Sequence, residues 1–156
     1  MIKQEKDEWS SEKTGHTRHG LTLIEIMVVI ALLGIIASIA IPNIFSSKKA
    51  ANESNAIGAL RTINSAEQLY VTKHGVYGTL SQLGDEGSID PAVAVADVSP
   101  KQGFLYILTV SASGAAYSCE AYPADWGATG ERAFYVDQTG VVYRKLTPNG
   151  MYETLR

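Results

Sequence analysis

The chain has 156 residues, 46% of them hydrophobic and 19% charged, with a formal net charge of −3 and a single cysteine. That length suits one ordinary domain with a packed core. The charge balance asks for no nucleic-acid partner, and the lone Cys119 excludes an intrachain disulfide.

Residues 1–20, MIKQEKDEWSSEKTGHTRHG, mix Lys3, Lys6, Lys13 and Arg18 with Glu5, Asp7, Glu8 and Glu12. They show no apolar periodicity, which predicts disorder in isolation. From Leu21 to Ile41 the texture inverts, and only Thr22, Glu25 and Ser38 carry polar side chains. As a helix this run spans roughly 32 Å, close to the hydrocarbon thickness of a bilayer at about 30 Å. It is apolar on every face, so it has to be buried in lipid or in protein.

Pro42 follows, where a helix interior loses the hydrogen bond to the Ser38 carbonyl and is expected to kink or loosen. Beyond it, Ala56, Leu60, Ile63, Ala66 and Tyr70 recur every three or four residues, opposite Asn55, Arg61, Asn64 and Lys73. Gly75 is placed as the residue that stops the helix. Residues 76–102 read as a connecting loop with one helical turn near Leu80 to Leu83. Four strand candidates follow: FLYILTVS (104–111), AAYSCEAY (115–122), RAFYVD (132–137) and GVVYRKL (140–146). Ser113-Gly114 and Asp137 to Gly140 read as hairpin turns. Cys119, inside a strand candidate, reads as a small buried hydrophobe.

The expected fold class is α+β. The apolar first half of a long N-terminal helix projects, and its amphipathic second half covers a small antiparallel sheet of three or four strands. The last residues, TPNGMYETLR, are either held by packing or loose.

Glu25 is the anomaly, and three readings of it compete. Thr22-Leu23-Ile24-Glu25 fits a capping box, with reciprocal side-chain to backbone hydrogen bonds and a carboxylate at the positive end of the helix dipole. Alternatively, a charge in a membrane costs about 3 kcal/mol and calls for a partner. If the chain were cut after Gly20, the new amine of Leu21 on a neighbouring subunit would be one. The third reading places Glu25 at the lipid headgroups.

The block GLTLIEIMVVIALLGIIASIAIP, residues 20–42, resembles the N-terminal motif of type IV prepilins and of the pseudopilins of type II secretion. The resemblance implies a hydrophilic leader of residues 1–20, a membrane and filament-core helix segment of residues 21–42, and a globular pilin domain of residues 43–156. It implies cleavage between Gly20 and Leu21 by a prepilin peptidase on the cytoplasmic side and N-methylation of Leu21. Glu25 matches the family's glutamate, which raises the intermolecular reading above the capping box, although the two are compatible in the precursor. Gly34 and Pro42 match the helix-weakening positions. Gly34, Ala31, Ala37, Ser38 and Ala40 would let identical helices approach closely. Two features depart from the family pattern: Leu21 stands where Phe is commonest, and Cys119 has no partner for a C-terminal disulfide.

No P-loop, H-E-x-x-H, paired C-x-x-C or G-x-S-x-G pattern occurs, so the sequence calls for no cofactor and no catalytic centre. Asp85, Glu86 and Asp90 cluster in the loop without the spacing of an EF-hand and read as a solvated acidic segment rather than a calcium site. The aromatic residues read as core and edge rather than as a conducting path. The favoured function is a structural subunit of a type IV pilus. The precursor would sit single-pass in the inner membrane, and the assembled subunit in a surface filament. The expected partners are identical subunits, the prepilin peptidase and an assembly platform. The alternatives are a type II secretion pseudopilin, a soluble secreted domain cleaved after Ala40 at a small-x-small site, and a permanently anchored enzyme or sensor.

Overall fold

The computed structural model describes residues 20–155, so the expectations for residues 1–19 lie outside the described residues. It falls into two compact units that divide between Ile39 and Ala40. One helix, α1, runs Leu23–His74. Its backbone remains helical through Pro42, which lacks the N–H that would serve the Ser38 carbonyl. One turn earlier, the Ser38 hydroxyl donates to the Ile35 carbonyl at 2.7 Å.

In the second unit the predicted stripe is the buried one: Ala56, Leu60, Ile63, Ala66 and Tyr70 all lie in the core. The helix stops where the sequence places its stop. Gly75 takes φ 77°, a left-handed value that costs glycine nothing. Its N–H donates to the Val71 carbonyl at 2.8 Å. Asn64, expected to face solvent, is instead half-buried and accepts a hydrogen bond from the Tyr117 hydroxyl at 2.6 Å. Its side chain is short enough to reach a buried phenol across the helix–sheet seam.

The connecting region is more regular than predicted and contains two short helices. In α2, Leu80–Asp85, Thr79 and Gln82 form a reciprocal capping box. In α3, Pro91–Ala94, Asp90 caps the helix from outside and Pro91 supplies a preset φ in its first turn.

The sheet is an antiparallel meander of five strands in chain order: β1 Phe104–Val110, β2 Tyr117–Pro123, β3 Ala133–Asp137, β4 Val142–Lys145 and β5 Glu153–Thr154. Register pairs include Tyr106 with Ala121, Cys119 with Val136, and Tyr135 with Tyr143. Burial along β2 alternates strictly, as a sheet with one covered face requires. Its inward residues Tyr117, Cys119 and Ala121 join Phe104, Tyr106, Phe134, Val136 and Val142, and the α1 stripe closes this cluster together with Leu83, Val93 and Ala96. The fifth strand exceeds the expected three or four. It holds the C-terminal segment by backbone pairing with β4, and the Leu155 N–H also donates to the Val142 carbonyl at 3.1 Å.

Two carboxylates share the buried face of α1. Glu53 accepts from the Arg132 side chain (Nε at 2.7 Å, Nη2 at 2.5 Å) and from the Glu131 N–H at 2.7 Å. Glu67 is fully buried and accepts from the Gly78 N–H at 2.9 Å.

Candidate membrane and assembly segment

The residues singled out at the N-terminus lie close together. Gly20 is exposed and precedes the helix, and Leu21 is 73% exposed. The capping box at Thr22 is present: the Glu25 N–H donates to Thr22 Oγ1 at 3.3 Å, and the Thr22 N–H donates to Glu25 Oε2 at 3.4 Å. Each bond is longer than the usual range of about 2.7–3.2 Å, so the box serves two otherwise free amides only weakly and does not saturate the carboxylate. Glu25 is exposed, and among the described residues it has no cation within ion-pair distance.

From Leu23 onward the apolar side chains stand open. Leu23, Ile24, Met27, Ile30, Leu33, Ile35, Ile36 and Ile39 are all exposed. Gly34, roughly 13 Å along the axis from Glu25, has no atom within 4 Å of where a side chain would begin. An uninterrupted apolar surface of this kind is unfavourable in water, and soluble monomers rarely present one. This stretch is long and apolar enough to cross a membrane.

Elsewhere among the described residues there is no comparable site. Glu86 sits between the His74 ring nitrogen (Nε2 at 2.6 Å) and the Lys73 ammonium at 3.2 Å, and these two hold its carboxyl below the usual range. Asp90 is likewise held down by Lys101 at 2.7 Å and by the Ala92 N–H that it caps. Among the described residues no three His, Cys, Asp or Glu side chains gather where they could hold a metal ion. Cys119 is fully buried, and burial pushes its thiol well up, away from a reactive thiolate.

The sequence reading missed Glu53 and Glu67. The signal was available: Glu53, Ala56, Leu60, Ile63, Glu67 and Tyr70 follow a three-and-four spacing without a break. Acids in that register are buried acids.

Comparison with known proteins bears on the same segment. The family described as the prokaryotic N-terminal methylation motif matches residues 15–41. Type II secretion system core protein G of Pectobacterium carotovorum subsp. carotovorum is 34% identical over 70 residues, 45% of each chain. The same protein of Vibrio cholerae is 36% identical over 63 residues, 40% of this chain and 43% of its own. Type IV major pilin protein PilA of Myxococcus xanthus is 31% identical over 102 residues, 65% of this chain and 40% of its own. The chain thus spans less than half the length of these curated relatives. It carries a prepilin-type methylation motif at the start of its helix, has a pilin-like α+β fold of a long helix followed by an antiparallel sheet, and is similar over part of its length both to type II secretion system core protein G and to a type IV major pilin.

Proposed function

We propose that the chain is a non-enzymatic structural subunit of a type IV pilus, made as a membrane-anchored prepilin and assembled through packing of its N-terminal helix. One observation carries the reading: the apolar surface from Leu21 to Ile41 is open along its length and directly follows a polar segment ending in Gly20. Such a surface suits lipid first and a bundle of identical helices later. In both settings apolar contact replaces water. On this reading a prepilin peptidase cuts between Gly20 and Leu21 and methylates the new terminus. Glu25 then finds its counter-charge on the Leu21 amine of the neighbouring subunit, which sets the stagger between chains. Gly34 and Pro42 are the points where the helix can yield during assembly. The filament is a head-to-tail helical polymer, a heterologous assembly that does not close.

Within the family, the extent of the likeness to the Myxococcus pilin favours the pilus. A match of 102 residues has to run past His74 into the globular part, whereas the 63- and 70-residue matches are short enough to fit within the leader and α1. A secretion pseudopilin is the second reading, favoured by the somewhat higher identity to protein G. Deleting the gene separates the two. Loss of surface fibres supports the pilus subunit, and intact fibres with blocked exoprotein release support the pseudopilin.

A further inference from the structure

We propose that Glu67 is a buried proton-binding latch: protonated, it fastens the chain after α1 against the helix, and ionised, it loosens that corner. Glu67 is 0% exposed. Among the described residues, its Oε2 accepts a single hydrogen bond, from the Gly78 N–H at 2.9 Å, and its Oε1 is buried without a partner. Gly78 lies flat on the helix, and a side chain there would begin 3.0 Å from the Tyr70 ring. The latch therefore ties residues 75–79 and the start of α2 to α1.

Among the described residues, the groups around this corner give the carboxylate no counter-charge. On α1, Tyr70 carries no charge, while Lys73 and His74 both pair with Glu86 at the end of α2. Tyr77 of the loop packs on Tyr117, with ring centroids 4.9 Å apart. From β2 come Tyr117 and Cys119, whose own ionisation Glu67 makes harder. Beyond them stand Tyr106 of β1, Glu120 of β2 and Asp137 of β3, which add no positive charge. An unpartnered buried anion is far costlier than an unpartnered buried hydroxyl, so the proton stays on. Burial pushes the Glu67 carboxyl from 4.5 up to about 7, against the opposing Gly78 hydrogen bond.

The sign follows from the raised value. Below the unfolded value of 4.5 the carboxyl is protonated whether the corner is closed or open, and the latch holds fully. Between 4.5 and about 7 the closed corner keeps its proton while the open one releases it, so closure weakens as pH rises. The His74–Glu86 contact lies at the same corner, so the experiment has to separate it from Glu67.

The test is hydrogen exchange at the Gly78 amide in the full chain, held in detergent micelles and corrected for the intrinsic pH dependence of exchange. The opening constant should rise about tenfold per pH unit between roughly 5 and 7 and level off above, as release of one proton requires. Glu67→Gln should abolish the slope, and His74→Asn should keep it. A flat profile in the wild-type chain, an unchanged slope in Glu67→Gln, or a slope that vanishes in His74→Asn overturns the proposal. If Glu67→Gln does not fold, infrared spectroscopy of the wild-type chain decides. A band from a dry, un-ionised carboxyl that disappears around neutral pH is expected, and its absence at pH 6 contradicts the latch.

Discussion

On the proposed reading, Glu25 has two uses for one carboxylate, and they belong to different stages. In the isolated chain it closes the capping box with Thr22, through bonds of 3.3 and 3.4 Å that leave lone pairs free. In a filament those lone pairs are where a neighbour's Leu21 amine would bind. Glu25→Ala removes both roles, and a cap at this position is worth only about 1 kcal/mol. The helix is continuous for 52 residues, so that loss should leave membrane insertion and leader removal intact. Filament growth should fail, which fibre yield from sheared cells measures; normal yield would return Glu25 to a purely local role. Glu53 poses a different residue-scale question, because its carboxylate is buried while Arg132 is partly exposed. Arg132→Ala should cost about 2 kcal/mol by leaving an uncompensated charge. Adding Glu53→Gln should recover part of that in urea melts of the full chain, and a further loss in the double variant would contradict the ion-pair account.

At the scale of elements, legibility tracked length and repetition. The α1 stripe repeats over 15 residues from Ala56 to Tyr70, so its apolar signal sums above the noise, and the structure buries every member of it. Strands β1 to β4 carry β-branched and aromatic residues between turn signals, and they lie within a few residues of their predicted bounds. What was missed is short. Helix α3 has four residues and rests on the Asp90 cap and Pro91 rather than on a pattern. Strand β5 has two exposed residues, and it exists because β4 offers an edge, a long-range cause that no local window contains. The buried acids were legible only as exceptions inside the stripe. The stripe itself gives a direct test. Leu60 is fully buried between helix and sheet, and Leu60→Ala should cost about 2–5 kcal/mol. An equivalent change at Leu69, on the exposed side, should stay within about 0.5 kcal/mol. Equal costs would mean that the helix face is assigned wrongly.

For the whole molecule, the division of labour is set by where apolar surface goes. From Ala56 onward the chain buries an apolar core internally, while from Leu21 to Phe45 the large apolar side chains remain open. The first behaviour was legible from periodicity and the second from plain composition, because a run with no polar face cannot be satisfied by a small sheet. The chemistry at its start, cleavage after Gly20 and methylation of Leu21, is the central claim. Its most direct test is the intact mass of the chain recovered from its native membrane or surface, with fragmentation of the N-terminus. The account predicts a chain that begins at N-methylated Leu21; a chain beginning at Ile41, or one that retains Met1, would contradict it.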